Sequence, residues 1–187
     1  MTHEYIDTQR LTLRPLVPAD AAALFEIFSD PRVMQYWNTP PWASIACAQA
    51  FIDEDRRARA AGELVRFGIF LKESNVLIGK CMLFDHSPSS RRAEIGFGIA
   101  ASYWGAGYIQ EASAALIEHG FNAMNLNRIE AEIDPQNIGS AKALERMGFS
   151  LEGLLRERWI VDGIVSDSAF YGLLRQDWLQ ARARVEG

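Results

Sequence analysis

The chain has 187 residues, 49% of them hydrophobic and 23% charged, with a formal net charge of −5; that suits one globular domain with a sizeable core and excludes a disordered or low-complexity chain. The negative balance argues against bulk affinity for nucleic acid and tilts toward a cationic partner such as an amine. Two cysteines without CxxC spacing, three scattered histidines and no apolar run near the ~18 residues of a membrane helix argue against a disulfide scaffold, a histidine metal site and a membrane helix, and the first residues show no basic-apolar signal pattern. The expectation is a cytoplasmic protein with reduced thiols and no metal.

In chain order, residues 10–16 alternate, with Leu11, Leu13 and Pro15 opposed to Thr12 and Arg14, predicting a first strand stopped by Pro15 and Pro18. Asp20 is placed to cap a helix carrying Leu24, Ile27 and Phe28 at spacings of three and four, and Ser29-Asp30-Pro31 ends it. Residues 34–43 crowd Tyr36, Trp37, Trp42 and two prolines into one segment. A core lid is the plain interpretation and a substrate-facing wall the functional one. Ser44 is an N-cap for a second helix with Ala48, Phe51 and Ile52 inward, residues 53–59 on a solvated charged face, and Gly62 at its end. Residues 67–72 and 76–84 predict two strands joined by the turn Glu73-Ser74-Asn75.

Residues 92–99 predict the strand of greatest interest. Ile95, Phe97 and Ile99 share one face, while Glu94, Gly96 and Gly98 share the other, a single carboxylate on otherwise bare backbone. Glycine inside a strand marks a bulge or the close approach of a ligand. The stretch Ser102-Tyr103-Trp104-Gly105-Ala106-Gly107-Tyr108-Ile109 follows, and Ile109, Ala112, Ala115 and Leu116 then recur at helical spacing. Gly105 and Gly107 therefore sit in a strand-to-helix turn, where free N–H groups and a helix N-terminus suit a phosphate. The alternative is a tight turn that merely needs positive φ. No P-loop pattern occurs, and Gly96-Phe97-Gly98-Ile99-Ala100-Ala101 fits the dinucleotide pattern only inside a strand, where it cannot act as one.

Residues 128–133 alternate as another strand, Asn137 is an N-cap for a helix over residues 138–147, and Gly148 closes it. Residues 149–161 and 165–174 predict a hairpin turning at Asp162-Gly163, followed by a charged tail over residues 178–186 with helical character. The order β-α-α-β-β-β-α-β-α-β-β, without repeat or linker, predicts a single α+β domain over residues 1–187. Its sheet is mixed, mostly antiparallel and seven-stranded, with helices on both faces.

Ala93-Glu94-Ile95-Gly96-Phe97, then Tyr103 to Ala112, then Asn137-Ile138-Gly139-Ser140 and Met147-Gly148-Phe149, together resemble the GCN5-related N-acetyltransferase (GNAT) superfamily. Order and composition are closest to its ribosomal-protein-alanine N-acetyltransferase branch, over about residues 8–178. The resemblance implies two central strands that splay apart to admit acetyl-CoA as cosubstrate. It implies that the backbone N–H groups of Trp104, Gly105, Ala106, Gly107, Tyr108 and Ile109 meet the pyrophosphate. The backbone of Phe97, Gly98 and Ile99 would pair with pantetheine and face an N–H to the thioester oxygen, and Asn137 would bond the pantetheine arm. Glu94, beside that site, is the candidate base; the alternative is a surface carboxylate paired with Arg91 or Arg92.

The chain departs from the wider family in two places. Ser102 stands where Gln or Arg usually opens the turn, and Leu144 stands where many members carry a Tyr as general acid. Ser140 is the remaining hydroxyl, and the branch resemblance implies that it helps the departing sulfur; its plain alternative is a helix first-turn serine. Tyr36, Trp37 and Trp42, with the loop over residues 85–92, are the expected walls of the acceptor cleft. Cys47 and Cys81 lie far in sequence from the cofactor motifs, which favours direct attack in a ternary complex. The expected acceptor is a protein or peptide N-terminal α-amine, possible partners being ribosomal or other proteins; the alternatives are a polyamine, amino acid or aminoglycoside, or a silent acyl-CoA-binding module. No nucleic acid or membrane partner is expected, and the chain is expected to be a monomer or homodimer.

Overall fold

The computed structural model describes residues 5–61 and 65–185. In chain order the elements are β1 (Ile6–Asp7), β2 (Leu11–Arg14), α1 (Ala21–Phe28), α2 (Pro31–Met34), α3 (Ile45–Ala61), β3 (Val65–Leu71) and β4 (Leu77–Ser87). There follow β5 (Arg92–Ile99), α4 (Tyr108–Asn122), β6 (Arg128–Ile133), α5 (Ile138–Arg146), β7 (Ser150–Val161), β8 (Ile164–Leu174) and α6 (Arg175–Val185). The strands form one eight-stranded sheet in the order β1-β2-β3-β4-β5-β6-β8-β7. All neighbours run antiparallel except β5 and β6.

Alternation along the strands divides the apolar side chains between two cores. Leu13, Phe67, Cys81, Leu83 and Ile95 from the sheet meet Ala112, Leu116, Ile117 and Phe121, the inward stripe of α4. On the other face Leu16, Phe70 and Leu77 pack with Leu24, Ile27 and Phe28 of α1 and with Ala48 and Ile52 of α3. The hairpin turn at Asp162 (φ 49°) and Gly163 (φ 80°) has both central residues left-handed, the type I′ geometry that the Asp-Gly pair suits. Among the described residues no helix is long and apolar enough to cross a membrane.

The central strands splay. β5 pairs β6 only through Arg92↔Arg128, Ala93↔Ile129 and Glu94↔Glu130. Beyond Glu94, β5 stays paired with β4 alone, and β6 continues along β8. One edge of β5 from Ile95 to Ile99 is thus open to a ligand.

Several expectations need correction. The sheet has eight strands rather than seven, because β1 pairs Ile6↔Leu13 and Asp7↔Thr12; two residues are too few to register as alternation. Asp20 does not cap α1 with its side chain. Its carboxylate instead accepts from Arg14 and from the Val17 N–H, closing a 3-10 turn ahead of the helix. Asp55 leaves the solvated face expected for residues 53–59 and is buried, in line with Ala48 and Ile52 along the inner stripe of α3. The tail helix begins at Arg175, three residues early. Gly62, expected to end α3, lies outside the described residues.

Candidate active site

β5 ends at Ile99, and Ala101–Tyr103 make a single 3-10 turn before the glycines. The Trp104 indole N–H donates to the Ile99 carbonyl at 3.0 Å, tying the turn back to the strand. Gly105 (φ 76°) and Gly107 (φ 78°) are both left-handed, and Gly107 is the N-cap of α4. The turn and the open part of β5 border a cavity of about 720 Å³, lined among others by Gly98, Ile99, Gly105, Gly107, Lys142 and Arg146. Of the six turn residues, Trp104, Gly105, Gly107, Tyr108 and Ile109 line it. Ala106 does not: its carbonyl faces the other way and accepts from Arg10 Nη1 at 3.0 Å.

A second cavity, of about 600 Å³, opens on the face of β5 that carries Glu94 and Gly96. Met82 and Phe84 of β4, residues 34–41 and the β7–β8 hairpin complete its walls. The two cavities share Gln35, Tyr36, Trp37, Phe97, Asn137 and Ser140. Tyr36 and Trp37 therefore stand at the junction. Trp37 is held edge-on against Phe28, with ring centroids 5.5 Å apart. Trp42 lines neither cavity. Its ring packs on Phe28 at 5.3 Å and Phe51 at 5.4 Å, so it belongs to the second core and not to the acceptor wall.

Asn137 caps α5, its Oδ1 accepting from the Ser140 N–H at 3.0 Å. That geometry occupies the carbonyl end of the amide and keeps its NH2 group available to an acceptor atom in the cavity. Leu144 is fully buried in the first core, so α5 offers no acid there, whereas Ser140 lies on both cavities.

Glu94 pairs with neither Arg91 nor Arg92; Arg92 instead holds Glu130 at 2.8 Å. Burial, then the nearby carboxylates of Glu132, Asp85 and Glu130, push the Glu94 carboxyl up to about 7, with Arg158 opposing. Glu132 is the best-held acid of the site. Its Oε1 accepts from Trp159 Nε1 and Ser168 Oγ, each at 2.7 Å, and from Arg158 Nε at 3.2 Å. Among the described residues the cavity also meets Asp85, Asp134, Asp162 and Asp167, against the single cation Arg158.

Sequence reasoning missed Glu132, Asp134 and Asp167. The alternation Glu130-Ala131-Glu132 does mark a polar face of β6, but only the pairing Glu94↔Glu130 brings that face to the site. It also missed Lys80, which is 4% exposed. The Lys80 Nζ lies 4.0 Å from the Phe51 ring, 4.5 Å from Phe28 and 4.8 Å from Trp37. Gly98 opposite Lys80 on β5 shows that both belong to the Glu94 face, where the alternation of β4 could have located it.

The residues present fit coenzyme A. Left-handed glycines at a helix N-terminus suit a pyrophosphate, Lys142 and Arg146 add positive charge that Ser102 does not, and the open edge of β5 suits an extended amide arm.

The acetyltransferase (GNAT) domain model matches residues 10–150. The chain is 37% identical over 175 residues to the uncharacterized N-acetyltransferase p20 of Bacillus licheniformis, covering 94% of this chain and 98% of that one. A ribosomal-protein-S5-alanine acetyltransferase from Vibrio fischeri superposes with a TM-score of 0.82 at 21% identity, covering 93% of this chain and 98% of that one. A spermidine N-acetyltransferase from Vibrio cholerae, in complex with CoA and spermine, superposes with a TM-score of 0.81 at 24% identity, covering 92% and 99%. At those identities the two structures share the fold alone, and they act on different acceptors. The chain belongs to the GNAT family of acetyltransferases. It is an N-acetyltransferase, and its acyl donor is acetyl-CoA.

Proposed function

We propose that the acceptor is the α-amine of a peptide or protein N-terminus, acetylated by direct attack in a ternary complex. The meeting of the two cavities at Trp37, Phe97 and Ser140, with Glu94 on the acceptor side, is the observation that carries this reading. Glu94 takes a proton from the ammonium, and the freed nitrogen attacks the thioester carbonyl carbon. The C–N bond forms and the C–S bond breaks; the leaving sulfur takes a proton from the Ser140 hydroxyl, which the second proton lost by the attacking nitrogen restores. The open backbone edge over Phe97, Gly98 and Ile99 serves the pantetheine arm and one of its N–H groups the thioester oxygen, Asn137 the same arm, and the turn from Trp104 to Ile109 the pyrophosphate. Tyr36 and Trp37 wall the acceptor.

The Glu94 value supports an α-amine. A base near 7 is matched to an amine of pKa ~7.7–8.0 and poorly matched to one of ~10.4. A polyamine is the second reading, favoured by the carboxylates of Asp85, Glu132, Asp134, Asp162 and Asp167 around the cavity. A peptide whose second or third residue is basic would use the same charges. The deciding experiment offers alanine- or serine-initiated peptides, spermidine and an aminoglycoside at equal concentration and follows thiol release from acetyl-CoA. Preference for the peptides supports the reading; preference for spermidine or the antibiotic overturns it. Ser140→Ala should lower turnover more than it raises the KM for acetyl-CoA, and an unchanged kcat removes Ser140 from the mechanism.

A further inference from the structure

The turn that opens α4 is fastened from behind to the N-terminal part of the sheet. Arg10 precedes β2, and its Nη1 donates to the Ala106 carbonyl at 3.0 Å. Its Nε donates to Glu111 Oε2 at 2.6 Å, and its own backbone N–H to Glu111 Oε1 at 2.7 Å. Thr8 Oγ1 donates to the same Oε1 at 2.6 Å. The Arg10 guanidinium also lies over the Tyr108 ring, 4.4 Å from its centroid. Burial works against a charge on Glu111, yet these hydrogen bonds from Thr8 and Arg10 hold its carboxyl below the usual range.

Arg10 is absent from the lining of the cofactor cavity, which Gly105 and Gly107 do line. A trans peptide unit points its C=O and its N–H in opposite directions. Anchoring the Ala106 carbonyl on Arg10 therefore aims the Gly107 N–H away from Arg10. The two flanking glycines have no side chains to fix that peptide plane themselves. An ideal Cβ on Gly107 would lie 3.5 Å from Arg10 Nη2, which confirms that Arg10 stands at the back of the turn.

We propose that Arg10 and Glu111 form a brace that presets the turn at residues 105–107 for the donor pyrophosphate, Arg10 being a positioning residue and not a phosphate ligand. This rests on the reading that the turn receives the pyrophosphate. The brace then matters only for donors that carry one.

The test compares acetyl-CoA with acetyl-pantetheine, which has the thioester and amide arm but no pyrophosphate, in wild type, R10Q, R10K and E111Q. The readout is the ratio of kcat/KM for the two donors, in which any loss of folded enzyme cancels. R10Q and E111Q should lower that ratio about tenfold or more, the size expected for a lost charge-assisted hydrogen bond, chiefly through the KM for acetyl-CoA. R10K keeps the charge but not the planar fork that spans Ala106 and Glu111, and should recover little of the ratio. Full recovery in R10K would show that charge attraction alone is at work and overturn the brace, as would an unchanged ratio in R10Q and E111Q. A wild type that fails to favour acetyl-CoA over acetyl-pantetheine would instead remove the pyrophosphate reading of the turn, and the brace with it.

Discussion

Glu94 combines two properties that are seldom cheap to hold together: it lines the cavity proposed for the acceptor, and burial with neighbouring carboxylates raises its carboxyl to about 7. A base works when ionised, so kcat/KM should rise with pH through about 7. Glu94→Gln should flatten that rise and lower the rate by roughly 10²–10⁴-fold; a variant with the wild-type profile would leave the proton to water. The same shift has a stability consequence. The folded value lies above the ordinary 4.5, so wild type loses stability as pH climbs from that value through about 7. Glu94→Gln should therefore melt above wild type at pH 8, by about 1–3 kcal/mol, and lose that advantage near pH 4.5. Lys80 has the opposite sign. Burial, with Arg66, pushes it down from 10.5 to about 7, against Asp55, and the ring faces around it favour the cation. The unfolded chain thus binds the extra proton between about 7 and 10.5, and stability from this group grows with pH across that window. Lys80→Met should lack this growth, which melting curves at pH 7 and pH 10 would detect.

Glycine allows close packing around β5 at two places, Gly98 on the strand itself and Gly79 on β4. A Cβ on Gly98 would meet Trp37 Cζ2 at 2.7 Å and Phe28 Cε1 at 3.1 Å. Gly98→Ala must therefore move Trp37, the ring at the junction of the cavities. It should destabilise by roughly 1–3 kcal/mol and lower kcat/KM for the amine more than any change in fold content explains. Normal acceptor kinetics in a folded G98A protein would remove Trp37 from the acceptor wall. On β4 the constraint is backbone itself, since a Cβ on Gly79 would collide with the Gly98 carbonyl oxygen. No rotamer relieves that contact. At Gly107 the limit is different again: space exists, but φ of 78° does not suit a side chain.

Across the whole molecule, two cavities converge and no thiol stands at their junction. Cys81 is fully buried, which pushes its thiol up to about 12. Cys47, on the first turn of α3, lines neither cavity. A protein with Cys47→Ser and Cys81→Ala should keep turnover within a few-fold, with intersecting initial-rate lines; parallel lines or a trapped acetyl-cysteine would contradict direct transfer. The charge layout makes a further prediction. Carboxylates surround the cavity proposed for the acceptor, so the KM for a cationic acceptor should rise with salt as screening grows over a Debye length of ~10 Å at 0.1 M. An uncharged amine analogue should show little salt dependence in KM.

The local signals were strong where one element decides its own form. Alternation set the bounds of β5 and β6, the paired glycines announced the left-handed turn, Asn137 capped α5, and Asp162-Gly163 made the hairpin. Each depends on contacts within a few residues, which periodicity and turn chemistry record directly. The helical stripe of α3 also contained Asp55, in step with Ala48 and Ile52, although its charge argued for solvent. What the order of residues could not convey was which faces meet. Trp42 turns to the core, where its ring packs against Phe28 and Phe51, residues from two helices. Glu132 reached the neighbourhood of Glu94 because β6 joins β5 in parallel for three residue pairs and then parts from it. Arg10 reached the turn at residues 105–107 because β2 lies under α4, with Glu111 about a hundred residues away in the chain. A chain's periodicity reports the side of each element that turns inward; the position of one inward side against another is set by packing and strand register, which only the folded molecule possesses.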